Sequence, residues 1–118
     1  MITIYHNPRC SKSRETLALV ETLNTRGAPL NVIEYLNKPP TVNELKTLHR
    51  QLGRPVRELL RDNEEPYKIL GLARAELTDT QAYEAIAAYP ILLQRPIVVY
   101  NDKAIIVRPP ESVRSLFD

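Results

Sequence analysis

Residues 2–27 of the chain read ITIYHNPRCSKSRETLALVETLNTRG. The β-branched and aromatic residues of 2–6 favour a short strand, and the Asn-Pro-Arg at 7–9 supplies the turn that ends it. Apolar residues then recur at helical spacing over about 11–26, and the glycine that follows predicts the end of this helix. Cys10 is therefore expected where the first strand turns into the first helix, at the helix N-terminus.

The rest of the chain predicts a second strand, a helical middle and a closing pair of strands. Strands are expected at 31–36, 97–100 and 103–107, the last two around the turn Asn101-Asp102. Helices are expected at 41–52, 56–62, 66–70, from Thr78 until Pro90, and at 111–116. The helix between the first two strands makes a parallel pairing natural. The sequence thus predicts one α/β domain over residues 1–118, a four-stranded mixed sheet flanked by helices, with a helical insertion at about 41–90.

The composition is that of a globular domain, with 43% hydrophobic and 25% charged residues in a chain of 118. Sixteen lysines and arginines stand against 14 aspartates and glutamates. The resulting net charge of +2 is too small for the broad basic surface that nonspecific nucleic-acid binding requires. The sequence contains neither a long apolar run nor a basic segment followed by an apolar one, so we expect no membrane span, no secretion and a cytoplasmic location.

Cys10 is the single cysteine of the chain, which excludes an internal disulfide and a zinc site of clustered thiolates. A cysteine attacks as its thiolate. The N–H groups of Ser11, Lys12 and Ser13 at the helix N-terminus, with a nearby arginine, would lower the pKa of Cys10. The alternative, that Cys10 is a small buried apolar side chain, fits its polar turn poorly. Because the pattern is Cys-x-x-Ser, a resolving thiol must come from another molecule.

Two polar residues beside Cys10 have roles that the sequence leaves open. Ser13 either donates a hydrogen bond to the thiolate or the substrate, or is an ordinary polar residue of the first helical turn. His6 is either a charged neighbour of the thiolate or a residue that simply ends the strand. The second histidine, His49, is interpreted as a surface or packing residue, and His6 with Cys10 lacks the further ligands that a metal site needs.

Arginine outnumbers lysine among the basic residues, and its planar side chain is suited to binding oxyanions. Three arginines are candidates for that role: Arg61, Arg95 and Arg108. Arg95 and Arg108 each precede a proline at a strand boundary, where the backbone is restricted. Taken alone, each of these two would be interpreted as a solvated surface arginine.

A set of motifs spread over nearly the whole chain resembles those of a known family. They are IYHNPRCSKSRETL at 4–17, YL at 35–36, PPT at 39–41, LLR at 59–61, EPY at 65–67, RPIVV at 95–99 and RP at 108–109. The family is that of the glutaredoxin-coupled arsenate reductases, which have the thioredoxin-like fold, and the similarity is to its short arsenate-reductase-like subgroup. The well-studied reductases have Gly-Thr where this chain has Ser11-Lys12, so Lys12 adds a cation at the anion pocket.

The resemblance implies roles for the residues singled out above. Cys10 would be the nucleophile, His6 a neighbour that helps to keep it ionised, and an oxyanion-binding trio would consist of Arg61, Arg95 and Arg108. The proline after Arg95 would be cis and packed opposite the cysteine, presenting that arginine to it. The supporting residues would be Ser11, Lys12, Ser13 and Pro96.

The resemblance also implies a reaction and its partners. Cys10 would attack arsenate or a similar oxyanion, glutathione as co-substrate would displace the product as a mixed disulfide, and glutaredoxin would reduce that disulfide. No bound cofactor would be needed, and the role would be in arsenic resistance. Two alternatives stay open: a reductase of another oxyanion or mixed disulfide, and an Spx-type regulator that shares the fold, binds RNA polymerase and catalyses nothing. Spx-type regulators typically use a Cys-x-x-Cys switch, which Ser13 removes here.

Overall fold

A four-stranded sheet forms from both ends of the chain in the computed structural model, which describes residues 1–117. The strands are β1 (Ile2–His6), β2 (Leu30–Glu34), β3 (Ile97–Tyr100) and β4 (Lys103–Ile106). They lie in the order β2-β1-β3-β4. β1 is parallel to β2 and antiparallel to β3, and β3 is antiparallel to β4. The predicted four-stranded mixed sheet is confirmed.

The helices of the described chain divide between two compact units. They are α1 (Ser11–Leu23), α2 (Val42–Leu52), α3 (Glu65–Ile69) and α4 (Asp79–Ala88), with short 3-10 helices at Val56–Leu59, Pro90–Leu92 and Pro110–Leu116. One unit consists of residues 1–38 together with the chain from Arg95 onward, and it holds the sheet and α1. The other consists of residues 39–94 and holds α2, α3 and α4. Within residues 1–117 we find no helix whose length and apolar character would suit it to crossing a bilayer.

The sheet unit is held together by an aliphatic core between the sheet, α1 and the last 3-10 helix. Its buried members are Ile2, Ile4, Val20, Val98, Val107, Val113 and Leu116. Burying a side chain of this size contributes about 1.5–3 kcal/mol to stability. Ser13 and Thr16 lie with Val20 on the buried face of α1. The core therefore fixes the first turn of α1, and with it the position of the preceding cysteine.

Two elements of this unit end at least two residues earlier than the sequence predicts. α1 ends at Leu23 instead of about residue 26, because the Asn24 side chain turns back onto Ala28. It accepts a hydrogen bond from the Ala28 N–H at 2.9 Å and donates one to the Ala28 carbonyl at 2.8 Å. β2 ends at Glu34 because the carbonyl of Glu34 accepts the N–H groups of Asn37 and Lys38, which closes a turn there.

The hairpin between β3 and β4 has the predicted turn. Asn101 and Asp102 have φ angles of 53° and 60°, in the left-handed region that Asn and Asp tolerate better than most residues. A two-residue turn with both residues in this region matches the right-handed twist of the paired strands. β4 ends at Ile106, one position before the predicted end.

The second unit is built on two capped helices. Thr41 and Glu44 form a capping box at the start of α2, and Thr78 and Gln81 form one at the start of α4; in both pairs the residues have the Thr-x-x-Glu or Thr-x-x-Gln spacing that is typical of this motif. The helix expected at 56–62 is a 3-10 helix that ends at Leu59. The reason is a pairing with the chain near residue 93: the Arg61 N–H donates to the Leu92 carbonyl at 2.8 Å, and an extended backbone is needed to reach it.

Candidate active site

Cys10 occupies the N-cap position of α1, directly after the turn that leaves β1. Its carbonyl accepts the N–H of Arg14 at 3.0 Å, which is the first bond of the helix. Its own N–H donates to the carbonyl of Asn7 at 3.0 Å, and the Asn7 side chain accepts the N–H of Arg9 at 3.0 Å. The cysteine backbone is thus fixed on both sides, while the side chain is half-buried.

The surroundings of Cys10 favour its thiolate. Partial burial alone would raise the pKa of the thiol. The backbone N–H of Ser13, the charge of Arg95, the N–H of Lys12 and a hydrogen bond from the Arg95 side chain act in the opposite direction. The lowering contributions prevail, so the pKa of Cys10 lies below its ordinary value. A thiolate at the start of a helix, beside an arginine, is the nucleophilic form of cysteine.

Arg95 brings more hydrogen-bond donors to this site than the protein satisfies. Its Nε and Nη1 atoms are buried and have no hydrogen-bond partner among residues 1–117. A buried donor left unpaired costs about 1–3 kcal/mol, and more when the group is charged. The Arg95–Pro96 peptide bond is cis, as the resemblance implies. The thiol and a cation with unsatisfied donors therefore lie close together within the sheet unit.

The other two candidate arginines have partners. Arg108 is exposed, and its Nε donates to the Arg95 carbonyl at 3.1 Å, so its side chain lies against the turn that carries Arg95. Arg61 belongs to the second unit, where its Nη2 lies 3.3 Å from a carboxylate oxygen of Glu64. Both side chains of this pair are largely buried, at 15% and 20% exposed. Within the sheet unit, the structure thus brings Arg95 and Arg108 close to one another.

His6 and Ser13 form a buried pair beneath the turn. His6 is 6% exposed and Ser13 is fully buried. The Ser13 hydroxyl is 2.7 Å from Nδ1 of His6 and accepts the N–H of Asn7 at 3.0 Å. Burial lowers the pKa of His6; Glu34 opposes this and the charge of Arg14 adds to it. The imidazole is thus neutral at neutral pH. The Ser13 hydroxyl hydrogen-bonds to His6 and Asn7, whereas the backbone N–H of Ser13 faces Cys10.

Ser11 and Lys12 are exposed in the first turn of α1. Lys12 contributes its backbone N–H to the cysteine, while its Nζ lies 3.6 Å from a carboxylate oxygen of Glu15. Arg14 was not among the sequence candidates, although it lies one helical turn after Cys10. Its Nη1 donates to the Pro8 carbonyl at 2.9 Å, and this bond braces the turn. This bond joins the helix to the turn before it over six residues, so no helical spacing identifies it in the sequence.

Comparisons with known proteins give a consistent result. The model of the ArsC family matches residues 5–116. The chain is 45% identical over 113 residues to an arsenate reductase of Haemophilus influenzae, covering 95% of each protein. It is 47% identical over 113 residues to an uncharacterised protein of Escherichia coli, covering 95% of this chain and 92% of the other. A solved structure, an arsenate reductase from Vibrio cholerae, is 49% identical, with a TM-score of 0.89 over 98% of this chain and 96% of that one. The thioredoxin-like fold that the resemblance implies is confirmed.

Proposed function

The chain belongs to the ArsC family, and we propose on this basis that it is an arsenate reductase in which Cys10 is the nucleophile. The names of the similar proteins supply the substrate: proteins 45–49% identical to this chain are called arsenate reductases. The chemistry supports the same proposal, because the reduction of an oxyanion by thiols needs an ionised cysteine and a cation beside it.

One observation carries the proposal more than any other. Two buried nitrogens of Arg95 have no acceptor in residues 1–117, next to a cysteine whose pKa is lowered. A tetrahedral oxyanion at this place would supply the acceptors, in short charge-assisted hydrogen bonds, and would put its central atom within reach of the thiolate. A module that only bound the anion, with no thiol reaction, would gain nothing from an ionised thiol at the same position.

The first step joins Cys10 to arsenate. The thiolate forms a bond to arsenic, one arsenic–oxygen bond breaks, and the oxygen leaves as water after taking up protons. Arg95 neutralises the charge on the remaining oxygens during this step. Arg108 and Arg61 complete the oxyanion-binding trio in our proposal, following the resemblance. His6 is neutral and acts on the cysteine through Ser13, whose N–H faces the sulfur.

The second step reduces arsenic from the +5 to the +3 state. The thiolate of glutathione forms a disulfide bond with Cys10, the sulfur–arsenic bond breaks, and its electron pair stays on arsenic, which leaves as arsenite. Each of the two thiols contributes one electron to this reduction. Because the chain has no second cysteine, the mixed disulfide must be reduced by a thiol of another molecule, and we propose glutaredoxin for this role, in the reducing cytoplasm.

A coupled assay tests the proposal. Purified protein with glutathione, glutaredoxin, glutathione reductase and NADPH should oxidise NADPH when arsenate is added. Phosphate, which cannot be reduced by thiols, serves as the matched control for anion binding. Cys10→Ser should abolish the arsenate-dependent rate, whereas Ser115→Ala, at an exposed position of the same unit, should leave it unchanged. Absence of arsenate-dependent oxidation, together with a Cys10 pKa at the free value, would refute the enzyme and favour a binding module.

A further inference from the structure

A groove on the sheet unit lies beside the turn that carries Cys10, and apart from His6 its residues have no role in the steps proposed above. It encloses about 210 Å³. Its walls come from the carboxyl ends of the two parallel strands and the segments that follow them: His6, Asn7, Pro8, Arg9, Glu34, Leu36 and Asn37. The carboxyl ends of parallel strands are the edge of an α/β sheet where ligands characteristically bind. Arg9, at one wall, is the residue directly before the cysteine.

The groove carries two opposite charges that do not neutralise each other. The guanidinium of Arg9 is exposed, and among the described residues it has neither a hydrogen bond nor an ion pair. The carboxylate of Glu34 is also exposed, and within residues 1–117 its one hydrogen bond is a long one, accepted from Nδ2 of Asn37 at 3.5 Å. Leu36, 39% exposed, adds an apolar surface to the same wall.

We infer that this groove binds the small thiol that resolves Cys10, by the end of that molecule that carries both an ammonium and a carboxylate group. Arg9 binds the carboxylate and Glu34 binds the ammonium, while Leu36 packs against the methylene groups between the charges and the thiol. The γ-glutamyl end of glutathione has this pattern of charges. The inference rests on the proposed function, because it concerns the thiol that enters the second step.

The test isolates the resolving step from arsenate. Cys10 is first converted to its mixed disulfide with thionitrobenzoate, which absorbs visible light when it is released. An attacking thiolate then forms a new disulfide with the Cys10 sulfur, and the bond to thionitrobenzoate breaks to release its anion. The second step is similar, because there too a thiolate attacks the Cys10 sulfur and the group bound to it leaves. The rate is measured with glutathione and with 2-mercaptoethanol, which is uncharged apart from its thiolate. The ratio of the two rates cancels any change in the reactivity of Cys10 itself.

Arg9→Gln and Glu34→Gln should each lower the ratio of the glutathione rate to the 2-mercaptoethanol rate by about twofold to fivefold. This factor corresponds to the free energy of one exposed ion pair. The double variant should lower the ratio further. Arg26→Gln and Glu21→Gln make the same chemical changes at exposed positions of the same unit, and they should keep the ratio of the unmodified protein. Raising the salt concentration should lower the ratio of the unmodified protein towards that of the groove variants.

Equal ratios in the unmodified protein and in both groove variants would overturn the inference that the groove binds the thiol. If the protein still reduced arsenate in the coupled assay, the proposed function would stand without the groove. A lower ratio in the groove variants, in a protein that fails to reduce arsenate, would support the groove and refute arsenate as the substrate. Mass spectrometry of the product should find glutathione attached to Cys10; thionitrobenzoate release without that adduct would also count against the groove.

Discussion

Replacing Arg95 by glutamine removes the cation beside Cys10 and leaves its backbone donors in place. Two of the contributions that lower the pKa of Cys10 come from this side chain, its charge and its hydrogen bond, while Ser13 and Lys12 act through N–H groups that the substitution does not touch. A hydrogen bond to a charged group contributes about 1.5–3 kcal/mol, and we take the lower end because Cys10 is only half-buried. The pKa of Cys10 should therefore rise.

The magnitude follows from this free energy. About 1.4 kcal/mol corresponds to a tenfold change in the ratio of thiolate to thiol at a pH below the pKa. A more basic thiolate is also a better nucleophile, and a Brønsted coefficient of about 0.4–0.5 recovers roughly threefold of the loss. Alkylation of Cys10 at low pH should therefore slow by about threefold, while the midpoint of the pH profile moves upward.

The assay is the rate of reaction with iodoacetamide as a function of pH, followed by mass spectrometry. Arg95→Lys keeps the charge without the planar donors, so its midpoint should lie between those of the unmodified protein and Arg95→Gln. Arg26→Gln removes a cation at an exposed position of the same unit and should leave the midpoint unchanged. An Arg95→Gln midpoint equal to that of the unmodified protein would refute the role of Arg95 as the cation of the thiolate.

Three further predictions concern the support of the site and the fold. Ser13→Ala leaves His6 Nδ1 and the Asn7 N–H without their buried partner, so the free energy of unfolding in urea should fall by about 1–3 kcal/mol, against less than about 0.5 kcal/mol for the exposed Ser115→Ala. Burial lowers the pKa of His6 below 6.5, so the unfolded chain takes up the proton first and stability is lost as the pH falls from 6.5. His6→Gln should therefore lose less stability than the unmodified protein between about pH 7 and pH 5, and equal losses would contradict this. Thr78→Ala removes the side-chain acceptor of the Gln81 N–H and should destabilise the fold by about 1 kcal/mol, whereas an unchanged urea midpoint would show that the α4 cap contributes nothing.

Local signals account for the parts of the fold that the sequence predicts well. The β-branched and aromatic residues of β1, the turn at Asn7-Pro8 and the capping boxes at Thr41 and Thr78 act within a few residues, and each is where the pattern places it. The errors come from one side-chain contact and one strand-like pairing that the sequence pattern does not show. Asn24 ends α1 through a bond to Ala28, and pairing with residues 92–94 straightens the chain after Leu59; neither effect has a periodicity.

The site was predictable in its residues and less so in its contacts. The position of Cys10 at the start of a helix follows from the pattern of the first 27 residues, and so does the contribution of the Ser13 and Lys12 N–H groups. The proximity of Arg95 to Cys10 does not, because it joins segments 85 residues apart in the chain, from position 10 to position 95. The bond between His6 and Ser13 likewise depends on how α1 packs on β1.

The place of β1 between β2 and β3 bears on how the chain leaves the ribosome. β1 and β2 emerge early, but residues 39–94 are made before β3 can join them. During that interval one side of β1 presents N–H and C=O groups with no strand to pair with, and such an edge is a template for other chains. Residues 39–94 are contiguous in the chain, so contacts among α2, α3 and α4 close only short loops. This segment can therefore fold before the sheet is complete. Nascent chains that stall near Gln94 are therefore the form of this protein most exposed to aggregation.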